Sequence, residues 1–165
     1  MKITLSNEEV LVRFPDISDL EDIVHINRIS LPETYSVAYF IGLIKSWRET
    51  SCVAVYNGHT VGYIIMRIEG SYSTPWKPRT TKRAHIISVA VLPEARRLGI
   101  GNKMMNFVLD RAKTIEKVKE IILEVRPSNL PAINLYRKLN FLNYRISTGY
   151  YSDGEDAIIM KLDME

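Results

Sequence analysis

The stretch Arg96-Arg97-Leu98-Gly99-Ile100-Gly101 carries the most information about the fold. An apolar run over residues 85–91 precedes it and predicts a strand buried on both faces. The residues after it recur at helical spacing and predict an amphipathic helix. Because Gly99 and Gly101 lack a Cβ, backbone N–H groups of this turn can approach a ligand closely, and the helix adds the positive end of its dipole. The turn therefore predicts a site suited to a pyrophosphate.

Two features limit that interpretation. Arg96 and Arg97 would add charge-assisted contacts to a phosphate, yet a tight strand–helix connection with a solvated arginine pair explains the same residues. The pattern also lacks the Gly-Lys-Ser/Thr of a P-loop and the spacing of the dinucleotide fingerprint. Taken alone, the turn leaves both possibilities open.

Strands and helices precede this turn in a regular order. Segments 52–56 and 60–66 flank Asn57-Gly58, a pair that favours a two-residue hairpin turn. Upstream, Ser18 and Glu21 have capping-box spacing for a first helix, and a second helix begins near Ser36. The inner side of the helix after the turn is predicted to hold Met104, Met105, Val108, Leu109 and Ala112.

The segment after that helix repeats the alternation. A strand is predicted over 120–125, and further strands near 142–150 and 156–162. Between them, Asn129 is placed to cap a helix whose buried face holds Ala132, Leu135, Tyr136 and Leu139. The whole order predicts an α/β fold in which a mixed sheet carries helices on both faces.

Length and composition are those of an ordinary globular protein. The chain has 165 residues, 46% hydrophobic and 25% charged, so we expect one domain over residues 1–165. A net charge of +3 is small for a nucleic-acid binder, and a single cysteine, Cys52, excludes an internal disulfide framework and a cysteine-based zinc site. No apolar run has the length of a membrane span, and the first residues lack a signal-peptide core. We expect a cytoplasmic protein that binds neither membranes nor specific nucleic acid.

Several motifs together resemble the GNAT superfamily of acetyl-CoA-dependent N-acetyltransferases over about residues 10–162. They are the Arg-x-x-Gly-x-Gly turn and, some thirty residues later, Asn129, Ala132, Leu135, Tyr136 and Phe141. Asn140 stands where many relatives carry glycine, and asparagine tolerates the left-handed conformation expected there. Two further stretches, Leu31-Pro32-Glu33-Thr34-Tyr35 and Tyr150-Tyr151-Ser152-Asp153-Gly154-Glu155-Asp156-Ala157, are similar to the protein N-terminal acetyltransferases. Within these, the chain resembles the archaeal type, which is similar to the catalytic subunit of the NatA complex.

The resemblance implies a sheet of about seven strands whose central parallel strands, 84–91 and 120–125, splay apart to hold acetyl-CoA. The pantetheine arm would lie between them, with the pyrophosphate wrapped by 97–102 and a backbone N–H near 89–91 stabilising the oxyanion. No metal is implied. The implied cofactor-binding residues are Val89, Ala90, Val91, Arg96, Arg97, Leu98, Gly99, Ile100, Gly101, Asn102, Asn129 and Tyr136.

The resemblance also implies a water-assisted base that removes a proton from an α-amine, with direct attack in a ternary complex. The candidates are Glu33, His85 and Glu124, and Tyr136 is the acid that protonates the departing thiolate. Each has a structural alternative: Glu33 as a helix-start carboxylate, His85 as a core histidine, Tyr136 as part of a buried helix face. Glu124 interrupts an apolar strand, so it is either partnered or functional. His85 and Glu124 alone fall short of the three or four ligands of a zinc site.

A protein N-terminus is the substrate that the resemblance implies, held by Glu33, Tyr35, Val89, Tyr150 and Tyr151. An ordinary aromatic hairpin is the alternative for the tyrosines. The rival functions are a lysine or small-amine N-acetyltransferase and a non-catalytic acyl-CoA-binding sensor. A covalent route through Cys52 lacks a partnering base in the sequence.

Residues 70–83 carry several prolines and basic side chains, which predicts a long exposed loop. The basic part, 77–83, is a candidate contact for the ribosome. A solvated loop without a partner explains the same residues.

Overall fold

The computed structural model describes residues 9–70, 81–115 and 118–164. Within these residues, seven strands form one mixed sheet in the order β1-β2-β3-β4-β5-β7-β6. The strands are β1 (Leu11–Arg13), β2 (Cys52–Tyr56), β3 (His59–Gly70), β4 (Lys82–Val91), β5 (Val118–Val125), β6 (Leu142–Ser147) and β7 (Ala157–Asp163). The α-helices are α1 (Leu20–Ser30), α2 (Val37–Trp47), α3 (Ile100–Lys113) and α4 (Leu130–Lys138), and short 3-10 helices cover Ile17–Asp19, Arg48–Thr50 and Pro93–Ala95.

Helices cover both faces of the sheet, as predicted. Neighbouring residues of a strand point to opposite faces, and Tyr63 and Gly62 of β3 illustrate the two sides. Tyr63 accepts a hydrogen bond from the Asn27 amide of α1 (3.0 Å), and its ring packs against Phe40 of α2 with centroids 5.9 Å apart. A Cβ at Gly62 would lie 3.0 Å from the methyl group of Met104 in α3. The predicted inner residues of α3 are all buried.

The hairpin between β2 and β3 is confirmed. Asn57 and Gly58 have φ values of 51° and 77°, the left-handed pair that a type I′ turn requires. The second strand is longer than the pattern indicates, because pairing with β4 continues to Gly70 opposite Lys82.

The start of the first helix differs from the prediction. The capping box is formed by Asp16 and Asp19 rather than by Ser18 and Glu21, and it caps the 3-10 helix that precedes α1. Asp19 accepts the backbone N–H of Asp16 (2.7 Å) and both terminal nitrogens of Arg13 (2.7 and 2.8 Å). Arg13, six positions earlier on β1, fixes the Asp19 carboxylate, a contact that the i, i+3 spacing of a capping box does not include. The second helix begins beside Ser36, as predicted, and the Ser36 hydroxyl caps it by accepting the N–H of Tyr39.

The predicted loop over 70–83 is too long at its C-terminal end. Lys82 and Arg83 belong to β4, where Arg83 is paired with Glu69 across the sheet and forms a salt bridge with Glu120. Gly70, at the other end of the predicted loop, belongs to β3, and residues 71–80 lie outside the described residues. Strand pairing and a carboxylate partner therefore bring the last two basic residues of the segment into the sheet.

The two central strands run parallel only over part of their length. β4 pairs with β5 from Lys82 opposite Val118 to Ile86 opposite Leu123, and the pairing ends there. Beyond that point β4 continues to Val91 and β5 to Val125. The register of β3 against β4 skips Ile87 at the same level, which marks a bulge. The expected splay of the two strands is confirmed, and it opens the sheet at its centre.

The burial of these elements differs in two places from the prediction. Along β4 the residues alternate between buried and half-buried, so the strand is not covered on both faces. Three members of the half-buried set, Ile87, Val89 and Val91, lie in the part of β4 that no longer pairs with β5. In α4 the buried residues are Ile133 and Tyr136, while Ala132, Leu135 and Leu139, which directly follows the helix, are half-buried. Asn129 caps α4 as predicted, since its side chain accepts the N–H of Ala132 (3.3 Å).

Candidate active site

A cavity of about 180 Å³ lies where β4 and β5 separate. One wall consists of residues 86–89 of β4, and the facing wall of residues 123–125 of β5 and of Arg126, which follows that strand. The α1–α2 connection closes one end of the cavity and the β6–β7 connection contributes two tyrosines. Of the predicted site residues it is lined by Glu33, Tyr35, Val89, Glu124, Asn129, Tyr136, Tyr150 and Tyr151.

His85 lies beside this cavity, hydrogen-bonded on both sides to carboxylates. Its Nε2 is 2.7 Å from Glu124 Oε2, and its Nδ1 is 2.9 Å from Glu69 Oε1. The side chains of His85 and Glu124 are only 14% and 15% exposed. Burial favours the neutral imidazole, but the hydrogen bonds and charges of Glu124 and Glu69 outweigh it and raise the pKa of His85. The same ring and Arg67 outweigh the effect of burial on Glu69 and lower its pKa.

Arg126 connects the two loops that border the cavity, and the sequence interpretation missed it. Its guanidinium forms salt bridges with Glu33 of the α1–α2 connection and with Asp153 (2.8 Å) and Glu155 (2.6 Å) of the β6–β7 connection. It also lies 3.9 Å from the centroid of the Tyr151 ring. The side chain is 13% exposed, and these partners, Glu33 foremost, raise the pKa of Arg126 further. Its position directly after β5, at the carboxyl end of a parallel strand, was a usable signal.

The proposed substrate tyrosines form two groups. Tyr35 packs against Tyr39 and Phe40 at ring-centroid distances of 5.1 and 5.8 Å, and Tyr150 lies 5.0 Å from Tyr151. Burial is the main cause that raises the pKa of Tyr35 and Tyr150, and the Glu124 carboxylate adds to it in both. The hydroxyls of both groups are therefore protonated near neutral pH and available as hydrogen-bond donors.

Asn27 fixes the loop that carries Glu33 and Tyr35. Its amide donates to the Glu33 carbonyl (3.2 Å) and to Tyr63 Oη (3.0 Å), and its carbonyl accepts the N–H of Tyr35 (3.3 Å). Tyr63 Oη in turn lies 2.8 Å from Ser88 Oγ on β4. This polar residue interrupts the apolar stripe of α1, and the interruption is the signal that could have identified it.

Tyr136 lies on the buried face of α4 and lines the cavity, with its ring centroid 6.0 Å from that of Phe141. Burial raises the pKa of Tyr136 to about 12. The phenol therefore stays protonated over the physiological range.

The glycine turn lies beyond the end of β4. Arg97 and Gly99 have φ values of 67° and 76°, and a Cβ on Gly101 would lie 3.3 Å from the Leu135 side chain of α4. The hydrogen-bond ladder of α3 starts with Lys103 N–H donating to Gly99 O (3.0 Å), so the N–H groups of 100–102 precede it and point out of the helix end. Arg96 Nε donates to Val91 O (3.1 Å), which holds that side chain against β4.

The other predicted residues have different surroundings. Ala90 and Ile100 are buried in the core, so only their backbones are available to a ligand, while Leu98, Asn102 and Arg97 are exposed. Cys52 is fully buried with Sγ 3.8 Å from Met104 O, and burial raises its thiol pKa strongly. Such a thiol does not ionise at neutral pH, which is unfavourable for a nucleophile.

A larger cavity of about 680 Å³ lies elsewhere, lined by Trp47, Arg48 and Ile115 among others. Its lining includes Glu69, Gly70 and Lys82 but none of the predicted site residues. Among the described residues no cluster of three or more His, Cys, Asp and Glu side chains is arranged to hold a metal ion. In the same part of the chain, no helix is long and apolar enough to cross a membrane.

The strand–turn–helix unit and the separated strands match a known family. The family model of the acetyltransferase (GNAT) family matches residues 20–141, well over half of the chain. The chain belongs to the GNAT family. The matched segment contains β4, β5 and α4, which form the cavity, and the turn at 96–101.

Within the GNAT family, the chain is similar to proteins named as N-alpha-acetyltransferases or N-terminal acetyltransferase subunits. The chain is 40% identical over 154 residues to an N-alpha-acetyltransferase of Sulfurisphaera tokodaii, covering 93% of this chain and 92% of the relative. It is 33% identical over 160 residues to the Arabidopsis thaliana N-terminal acetyltransferase A complex catalytic subunit NAA10, covering 94% and 79%. The solved structure of Arabidopsis thaliana Naa50 in complex with the bisubstrate analogue CoA-Ac-MVNAL superposes with a TM-score of 0.81 at 27% identity, covering 94% of this chain and 99% of that one.

Replacing Arg126 by methionine will weaken the dependence of the unfolding free energy on pH under acidic conditions. The pKa of Glu155 is lowered by hydrogen bonds from the Ser128 side chain and from Arg126. The pKa of Asp153 is lowered by hydrogen bonds from the Glu155 N–H and from Arg126. Such carboxylates stabilise the fold above their ordinary pKa values of about 4, and this contribution is lost as the pH falls through the lowered values. Denaturant titrations between about pH 2 and 5 will give a smaller change in unfolding free energy for Arg126→Met than for the wild type.

The control is Arg111→Met, since Arg111 contacts the Phe14 ring and the Glu49 carbonyl instead of a carboxylate. This variant will keep the wild-type pH slope. An unchanged slope in Arg126→Met would contradict the role of Arg126 as the counter-charge of both loops.

Proposed function

We propose that the protein transfers the acetyl group of acetyl-CoA to the α-amino group of protein N-termini, by direct attack in a ternary complex. The observation that carries the proposal is the cavity between the separated strands, which brings Glu124 and Tyr136 together and is bordered by the tyrosines and Glu33. The relative in complex with a CoA–peptide bisubstrate analogue and the relatives named N-alpha-acetyltransferase support the same substrate class.

The chain offers a fitting site for CoA. The N–H groups at the start of α3 and the left-handed backbone at Arg97 and Gly99 form a cradle for a pyrophosphate. The backbone of β4 beyond Ile86 has left its parallel partner and is available along the cavity. Residues 89–91, 96–102, Asn129 and Tyr136 would hold the molecule, and bound acetyl-CoA supplies an activated acetyl thioester. No metal is needed for this reaction.

The amine side of the site needs only a modest base. A peptide α-amine has an ordinary pKa of about 7.7–8.0, so a useful fraction is neutral near pH 7. Glu124 lines the cavity and acts as proton acceptor, directly or through water. Glu33 is engaged by Arg126, so its role is to shape the pocket for the first residue together with Tyr35, Tyr150 and Tyr151.

Tyr136 faces the same cavity from α4 and serves as proton donor to the departing thiolate. Its hydroxyl is protonated throughout the working pH range because its pKa lies near 12. In this proposal the Glu124 carboxylate accepts a proton from the amine, and the Tyr136 phenol donates one to the thiolate.

The proposal extends to the whole chain and its setting. Residues 1–165 form a single N-acetyltransferase domain that acts in the cytoplasm on nascent or completed chains. The basic segment 77–83 is the part proposed to contact the ribosome, and within it Lys82 and Arg83 lie at the start of β4.

Mass spectrometry of short peptides incubated with acetyl-CoA tests the function. Peptides begin with Ser, Ala, Met or Glu, carry one internal lysine, and have either a free or a blocked N-terminus. We expect one acetyl group on free peptides, at the α-amine, and none on blocked ones. Modified lysine in blocked peptides would support a lysine acetyltransferase instead. Binding of acetyl-CoA with no transfer to any peptide would support a small-amine enzyme or a sensor.

Glu124→Gln and Tyr136→Phe will each lower kcat by on the order of 10²-fold while the melting curve stays close to that of the wild type. The matched controls are Glu120→Gln, which changes a carboxylate of β5 bonded to Arg83 and Lys161, and Tyr144→Phe on exposed β6. Both controls will keep the wild-type kcat. Wild-type turnover in Glu124→Gln and in Tyr136→Phe would remove both residues from the mechanism.

A further inference from the structure

Three side chains from neighbouring strands form a continuous hydrogen-bonded row on one face of the sheet. Glu69 comes from β3, His85 from β4 and Glu124 from β5. His85 is in the middle, with Nδ1 2.9 Å from Glu69 and Nε2 2.7 Å from Glu124. Glu124 lines the cavity between the separated strands, whereas Glu69 lines the larger cavity and is 28% exposed.

The numbers of hydrogen-bond donors and acceptors in this row bear on the protonation state of the His85 imidazole. A neutral imidazole has one N–H donor and one acceptor nitrogen, and an ionised carboxylate only accepts. Two ionised carboxylates at hydrogen-bond distance, one from each ring nitrogen, therefore favour an imidazolium, which donates in both directions, over a neutral ring. A histidine held in this form has no free lone pair with which to take a proton from a substrate.

We propose that Glu69 is a positioning residue that keeps His85 protonated, so that the imidazolium orients Glu124 as the proton acceptor of the cavity. This inference rests on the proposed function, because the reaction it refers to is the acetyl transfer proposed above. The imidazolium N–H engages Oε2 of Glu124 and leaves Oε1 for the amine or its water. When Glu124 takes a proton from the amine, an N–H bond breaks, its electron pair stays on the nitrogen, and an O–H bond forms on the carboxylate.

Other charged groups face this row, and most of them are already paired. Arg67 on β3 donates to Glu69 (2.6 Å) and has Nη2 3.5 Å from His85 Nδ1, so it anchors Glu69 but opposes the charge of the ring. Arg83 on β4 and Lys161 on β7 are both paired with Glu120 of β5. Over the cavity, Tyr35 and Tyr150 are neutral phenols, and Glu33 is bound to Arg126. Glu69 and Glu124 therefore supply the two carboxylates that favour the imidazolium.

NMR titration of the full chain, with 15N-labelled histidine, tests the proposal without any enzymatic assay. The chain has three histidines, His25, His59 and His85. In the wild type, both ring nitrogens of His85 will show imidazolium shifts at pH 7. In Glu69→Gln, which keeps an acceptor of the same shape, the titration midpoint of His85 will move to lower pH, while His25 and His59 stay unchanged. Glu120→Gln removes a carboxylate of the same sheet that does not contact His85 and will leave all three midpoints unchanged.

The kinetic consequence has a defined direction. If the titration midpoint of His85 is lower in Glu69→Gln, the imidazolium is lost as the pH rises, while at low pH it is still present. The kcat of Glu69→Gln will therefore be near the wild-type value at pH 6 and on the order of tenfold below it at pH 8. The KM for acetyl-CoA will not change. A neutral His85 in the wild type at pH 7, or an unmoved midpoint in Glu69→Gln, would overturn the proposal. Failure of peptide acetylation in the wild type would instead overturn the proposed function, since the titration does not depend on activity.

Discussion

The early end of the parallel pairing between β4 and β5 is the constraint on which the rest of the structure depends. A seven-stranded sheet that stayed paired to its end would have a closed centre, but here pairing stops at Ile86 and Leu123 while both strands continue. Backbone groups inside a protein need hydrogen-bond partners, so a gap of this kind is suited to an extended ligand that can act as a substitute strand. The glycine turn and the start of α3 follow the same strand, and their backbone N–H groups have a geometry suited to an anionic ligand.

A gap in a sheet becomes an active site only when its borders are fixed, and charged and polar groups perform that task. Arg126 holds the α1–α2 and β6–β7 connections together through carboxylates from both. Asn27 holds the first of these connections to Tyr63 in the core. On the strands themselves, Glu69 of β3 bonds His85 of β4, and His85 in turn bonds Glu124 of β5. These contacts join the sheet to the two connections, so the groups that border the cavity are held in position before a ligand arrives.

Local signals account for the elements that the sequence predicted well. The Asn57-Gly58 turn, the Asn129 cap and the glycine turn depend on a few adjacent residues, and all three lie where they were expected. The capping box failed because Ser18 and Glu21 satisfied a local pattern, whereas the carboxylate used, Asp19, is fixed by Arg13 on β1. The burial of β4 was misjudged because an apolar run cannot reveal that one face borders a cavity.

The candidate site depended on relations that no local pattern contains. Arg126 and Glu33 are 93 positions apart, and Glu69 meets His85 only through the register of β3 against β4. Glu33, Glu124 and Tyr136 were identified through resemblance to a family, and the structure places them around one cavity. The partners of these residues, such as Arg126 for Glu33 and His85 for Glu124, can be identified only from the three-dimensional structure of the sheet.

The most direct test of the central claim is amide hydrogen exchange with and without saturating CoA. If the gap between β4 and β5 receives the pantetheine arm, CoA will slow exchange in residues 87–91 and 97–102 and leave β2 and β6 unchanged. Protection confined to other regions, such as residues 45–50 at the larger cavity, or no protection at saturation, would contradict the account.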